Sequence, residues 1–210
     1  MPRGRCRRPP WLGLAAYITA GASGRARSIV VADRGIAELA PHLDDQRCRE
    51  MTGMLHLTAS LAETVLGHPD RGDDRIAESS DLARTVPDGE LGFAGLMFGP
   101  TNATAWKVSA AMERDPGTAA ELADRCNVSV LPAPVRKAVY WADLGRGVAT
   151  LRGRRVDAIV ALRRAEELSP QRVRVHPLAR EAVVGLLRQA RRDAEGRELR
   201  GLAYRMGLAG

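Results

Sequence analysis

Between residues 140 and 170, in "YWADLGRGVATLRGRRVDAIVALRRAEELSP", apolar side chains fall into two helical registers. Trp141, Leu144, Gly145 and Val148 stand at spacings 0, 3, 4 and 7, and Ala158, Leu162, Ala165 and Pro170 at 0, 4, 7 and 12. Spacings of three and four place side chains on one face of an α-helix, whereas a half-buried strand would alternate every second residue. Each register mixes large residues with small ones. A small residue such as Gly145 or Ala158 lets two antiparallel helices approach closely, and Trp141, Leu144 and Leu162 fill the space beside the contact. Pro170 ends the second helix and sets the angle to whatever follows.

The same periodicity predicts helices along the whole chain, near 10–21, 28–40, 45–66, 73–85, 101–113, 117–126, 135–151, 156–168, 178–192 and 195–206. Between them lie "PHLDD", "GHPDRGDD", "VPDGELG", "MFGPTN", "RDPG", "LPAP", "SPQ" and "HP", all rich in Pro, Gly or Asp. Asp44, Asn102, Asp157 and Thr101 are candidate N-caps. "VSVLP" at 128–132 is too short to support a sheet, and the expected fold class is all-α. Composition agrees. Aromatic residues are only 4% of the chain, so Ala, Leu and Val must fill the core, which suits closely packed helices better than a β-sandwich.

One hairpin cannot bury its own apolar face and must stack on a neighbour. Met54, Leu57, Thr58 and Leu61 repeat the 0, 3, 4, 7 register, as do Trp11, Leu14, Ala15 and Ile18. Ala103, Trp106, Lys107 and Ala110 follow it loosely, and Ala119, Ala123 and Cys126 echo the second register. Repeat starts at 11, 54, 103 and 141 lie 43, 49 and 38 residues apart. A standard tetratricopeptide unit is ~34 residues, so the loops carry insertions.

Residues 140–170 resemble the tetratricopeptide repeat (TPR), matching all eight signature spacings with one extra residue in the turn. The longer stretch from "LPAPVRKAVYWADLGRG" to "ELRGLAYRMGL" resembles the C-terminal region of actinobacterial XRE-type transcriptional regulators. "MFGPTNATAWKVSAAME" and "AAYITAGASGRARSIVVADRGIAEL" are similar to the same region, so the likeness covers about 11–210. Those proteins join an N-terminal helix-turn-helix domain to a TPR-like array. The resemblance implies a right-handed superhelical array of four to five TPR-like antiparallel hairpins over 11–210, behind a basic, disordered leader at 1–10. Trp11, Trp106, Trp141, Leu144, Gly145, Ala158, Leu162, Ala165 and Pro170 would be its structural signature. Ten residues before Trp11 are too few for a helix-turn-helix domain, so specific DNA binding by this chain alone is not expected.

Charge is consistent with that expectation. The net charge is +7, yet the arginines of 150–210 are interleaved with acids, and a basic face of this kind is first of all a solvated one. Cys6, Cys48 and Cys126 are scattered, with no CxxC pair, and read as reduced thiols of a cytoplasmic protein. The start, "RGRCRRPPWLGLAAYITAGASG", combines a basic stretch, an apolar one and small residues as a secretory signal does; the Trp11 register favours a folded helix instead. No apolar run approaches the roughly 18–20 residues of a membrane span.

No Gly-rich phosphate loop, GxSxG elbow or Cys–His signature occurs, so no enzyme and no cofactor are expected. His42, His56, His68 and His176 are far apart and offer no metal-ligand spacing. "RGD" at 71–73 reads as a loop tripeptide, and Glu166–Glu167 as solvated surface. What remains is a binding surface. In TPR arrays the first helix of each pair lines a concave groove; here that face would present Thr52, Leu55, Ala59 and Glu63, Thr101 and Thr104, and Val139, Ala142, Arg146 and Ala149. Small and apolar, it would suit an apolar segment of a protein or peptide, with Arg146 available to an acidic group. The expected role is the sensor or oligomerisation part of an XRE-type regulator, with self-association possible; the alternative is a stand-alone TPR adaptor.

Overall fold

The computed structural model describes residues 8–189 and 194–208; the expected leader lies outside them except for Arg8–Pro10. Eleven α-helices occupy the described residues, with no strand among them. They are α1 (Arg8–Ala22), α2 (Arg25–Leu39), α3 (Gln46–Val65), α4 (Pro69–Ala83), α5 (Pro100–Met112) and α6 (Pro116–Ala123). After these come α7 (Pro134–Val148), α8 (Arg155–Leu168), α9 (Pro170–Val175), α10 (Pro177–Gln189) and α11 (Ala194–Arg205). "VSV" forms a 3-10 turn. The all-α expectation holds, with one helix more than the periodicity predicted.

Proline does much of the punctuation. α4, α5, α6, α7, α9 and α10 each begin on one, where its missing N–H is no loss and its fixed φ suits the first turn. The capping residues differ from those expected. Asp45, not Asp44, caps α3 by accepting from Arg47 N, and Asp115 caps α6 by accepting from Gly117 N and Thr118 N. Thr101, Asn102 and Asp157 lie inside helices whose first turns are already set by Pro100 and Arg154. "RGD" is not a loop. It sits in the first turns of α4, where Gly72 is buried because a Cβ there would come within 2.5 Å of Thr64 Oγ1 and 3.0 Å of the Ser60 carbonyl.

Contacts divide the chain into two compact units, where a single repeat domain over 11–210 was expected. One runs to Ala110 and includes Val130–Pro132; the other comprises Ala111–Ser129 and the chain from Ala133. In the first unit α3 is the central element, packed by α1, α2 and α4. Every residue from Glu50 to Ser60 is buried. Met51, Leu55, Leu57 and Ala59 join Ala32, Leu39 and Phe98 in its core. Glycines bring these helices close. A Cβ on Gly13 would stand 2.8 Å from Leu39 Cδ1, and one on Gly35 would stand 2.9 Å from Leu55 Cδ1. The Phe98 ring lies across Gly53.

α1 therefore turns inward the stripe of Pro10, Gly13 and Ala20, with Leu14, Ala16 and Tyr17 partly buried beside it. The expected face is mostly outside: Trp11 and Ile18 are 56% and 60% exposed, and Trp11 only meets Phe93 edge-on at 5.1 Å. Close packing of backbones favoured the small residues over the large ones. Trp11 is thus not a buried signature residue.

In the second unit α7 packs along α8, and α6 against α7; α10 packs on α11 and touches α7. Gly145, Ala158, Leu162 and Ala165 are all buried where the two helices meet, with Trp141 and Leu144 half-buried. A Cβ on Gly145 would stand 2.7 Å from Leu162 Cγ, 3.0 Å from Leu162 N and 3.2 Å from the Ala158 carbonyl oxygen. Pro170 follows the Ser169 cap of α8 and opens α9, so it ends one helix and starts another. Glu166 departs from expectation. Its side chain, 6% exposed, accepts from Arg174 Nε and Nη2 at 2.8 and 2.6 Å and from Arg205 Nε and Nη2, both at 2.9 Å. That clasp ties α8 to α9 and α11. Hydrogen bonds from Arg205, then from Arg174, hold its carboxyl below the ordinary range.

Candidate functional site

The second unit carries a groove of about 630 Å³ along α7 and α8. Each helix contributes one face. From α7 come Lys137, Tyr140, Trp141, Leu144 and Val148; from α8 come Asp157, Val160, Ala161, Arg164 and Leu168. Both sets run at 0, 3, 4, 7 and 11, so the two walls follow directly from helical geometry. The third wall is the end of α6 and the turn after it, Ala120 to Ser129. α6 has 8 residues against 15 in α7, so it covers only part of the α7–α8 seam.

Apolar surface is consequently left open. Val160 is 56% exposed. Tyr140 is buried and donates its hydroxyl hydrogen to the Ala123 carbonyl at 3.2 Å, which fastens α7 to α6. Burial, above all, pushes the pKa of that hydroxyl well up, so it remains a donor. Around the floor stand Arg125, Lys137, Arg154 and Arg164, against Asp124 and Asp157. Arg154 and Asp157 pair with each other, and Arg164 reaches Glu167 only at 3.8 Å. Among the described residues Arg125 and Lys137 meet no carboxylate within ion-pair distance. The rim is therefore positive.

Of the residues expected to line a concave groove, Arg146 and Ala149 border a second opening, of about 560 Å³, between α7 and α10 in the second unit, and those of α3 are placed otherwise. Thr52, Leu55 and Ala59 are buried in the first unit, because α3 is enclosed by its neighbours; they present no open surface. Glu63 is buried too. Thr101 Oγ1 donates to Asp88 Oδ2 at 2.6 Å, and Thr104 Oγ1 to the Pro100 carbonyl at 2.9 Å. Ala142 is buried beside Val173 and His176, and Arg146 is engaged by Glu113 and by Asp143 at 3.8 Å. Arg146 is thus committed within its own unit. Trp106 lines a smaller opening of about 350 Å³ in the first unit, with Tyr17, Ile18, Thr58 and Leu61.

Val160, Lys137 and Arg164 were not singled out from the sequence. For Val160 and Arg164 the signal was the α8 register itself: Val156, Val160 and Arg164 repeat every fourth residue on a side the buried Ala158–Leu162–Ala165 face does not use.

One buried polar set belongs to no opening. His56 on α3 lies under the ion pair that joins Arg75 of α4 to Asp33 of α2 at 2.5 Å. Burial, then Arg75, pull its pKa down to about 4, partly offset by Asp33, so the ring is neutral at pH 7. Among the described residues no cluster of His, Cys, Asp or Glu could hold a metal ion, and no helix is long and apolar enough to cross a membrane. Comparison with protein-family models, with curated proteins and with solved structures returned no match.

Proposed function

We propose that this chain is a regulatory protein-binding module built of TPR-like hairpins in a right-handed superhelix. In this reading it is the sensor or oligomerisation part of an XRE-type transcriptional regulator and acts by holding a segment of another protein. The observation that carries the proposal is the α7–α8 hairpin. At Gly145 the helices leave no room for a Cβ against Ala158 and Leu162, the small and large positions that the repeat spacing singles out. Beside that contact an apolar groove stays uncovered, as a binding surface must. The successive packing of α1, α2, α3 and α4 in the first unit also supports a stacked-hairpin reading.

Selection of displayed peptides on the intact purified chain tests it. Enrichment of a shared pattern that binds the folded chain and not the urea-unfolded one is the expected result. No enrichment on a chain whose circular dichroism is fully helical would overturn the binding-module reading.

A further inference from the structure

We infer that the α6–α8 groove takes a short apolar segment flanked by carboxylates, and that Val160, Lys137 and Arg164 read it. The inference rests on the binding-module reading and adds the site and the partner's chemistry. Size comes first. About 630 Å³ falls within the 300–1,000 Å³ typical of ligand pockets, so it admits a few side chains of a partner and not a long helix. The floor supplied by Trp141, Leu144 and Val160 asks for apolar side chains.

Charge decides the rest. The lining holds four cations and two carboxylates, and one cation and one carboxylate are already paired as Arg154–Asp157. Lys137 and Arg164 stand on opposite walls, one on α7 and one on α8, each within a turn of an apolar floor residue. A segment lying along the seam would bring its flanks under both. Acidic flanks are attracted there and basic ones repelled, so the groove discriminates by charge as well as by fit.

The probe is a dye-labelled ten-residue peptide of Leu and Glu in amphipathic order, titrated by fluorescence anisotropy against the intact chain. Its Leu/Lys and Ser/Glu counterparts are the controls. The Leu/Glu peptide is expected to bind about tenfold tighter than either control, and to weaken as salt rises. Val160→Glu and the double charge reversal Lys137→Glu/Arg164→Glu should each weaken it by about tenfold or more. Val160 and Arg164 are exposed and Lys137 is half-buried, so circular dichroism and the denaturation midpoint should stay close to those of the parent chain. Equal binding of the Leu/Glu and Leu/Lys peptides, or an unchanged Kd in Val160→Glu, would overturn the inference. A display-selected peptide that binds Val160→Glu as tightly as the parent would sink this groove and leave the binding-module reading standing.

Discussion

Gly145→Ala puts the hairpin contact to a quantitative test. In a helix interior, exchanging Gly for Ala gains about 1 kcal/mol, because alanine loses less backbone freedom on folding. At Gly145 that gain meets an obstacle, since the new Cβ would stand 2.7 Å from Leu162 Cγ and 3.0 Å from Leu162 N. Two of the three nearest atoms, Leu162 N and the Ala158 carbonyl oxygen, belong to the α8 backbone, which cannot rotate away as a side chain can. The helices must part by several tenths of an ångström along a seam where Ala158, Leu162 and Ala165 are all fully buried. Overpacking of this kind costs about 1–3 kcal/mol. The net effect of Gly145→Ala should be a loss of up to about 2 kcal/mol after the helical gain of about 1 kcal/mol is credited. Two controls isolate the contact. Gly185, inside α10, has nothing within 4 Å of its Cβ position, so Gly185→Ala should stabilise by about 0.5–1 kcal/mol. Gly147 lies on the same helix as Gly145, but its Cβ would meet the Met112 thioether, a flexible group that can change rotamer, so Gly147→Ala should fall between the other two. Urea denaturation of the three variants reads the order directly. A Gly145→Ala chain as stable as Gly185→Ala would refute the reasoning.

Stability should fall as pH drops from 6.5 towards 4, because unfolding frees His56 to take a proton that the folded chain refuses. The loss reaches about 2 kcal/mol at pH 5, and thermal melts at pH 7 and 5 should lose most of that difference in His56→Gln. Glu166 acts at lower pH: its folded pKa is depressed, so its contribution is present above 4.5 and lost as pH falls through the folded value. Glu166→Gln at pH 7 should cost about 1–3 kcal/mol, read by urea denaturation, since Arg174 and Arg205 lose a charged acceptor. DNA binding by this chain should be weak, sequence-independent and suppressed by salt; a mobility shift on one genomic fragment that survives raised salt would contradict this.

Much of the fold was legible because its punctuation is chemical. Breaks rich in Pro, Gly and Asp act through local geometry, and the Gly145 contact follows from a spacing that only a helix can use, although the individual capping residues, Asp45 and Asp115, were not the ones expected. α9 was not legible: six residues between Pro170 and Pro177 are too few to show a period. The buried face of α1 was misread because two stripes share one period and hydropathy favours Trp11 and Ile18. Tertiary packing instead chose Gly13 and Ala20, which let α1 reach Leu39 and Met51. Thr52, Leu55 and Ala59 were misplaced for a related reason. An amphipathic pattern presumes one solvent face, and α3 has almost none from Glu50 to Ser60. Glu166 meets Arg205 from 39 residues away, a distance over which a sequence pattern is silent. The groove depends on how short α6 is beside α7, which periodicity alone does not weigh.

Amide hydrogen exchange of the intact chain, with and without a saturating display-selected peptide, tests the central claim most directly. Binding by the hairpin groove predicts slowed exchange in α6, α7 and α8 and little change in α1 to α4. A bound peptide that leaves α6–α8 unprotected, or protects α1–α4 instead, would contradict the claim.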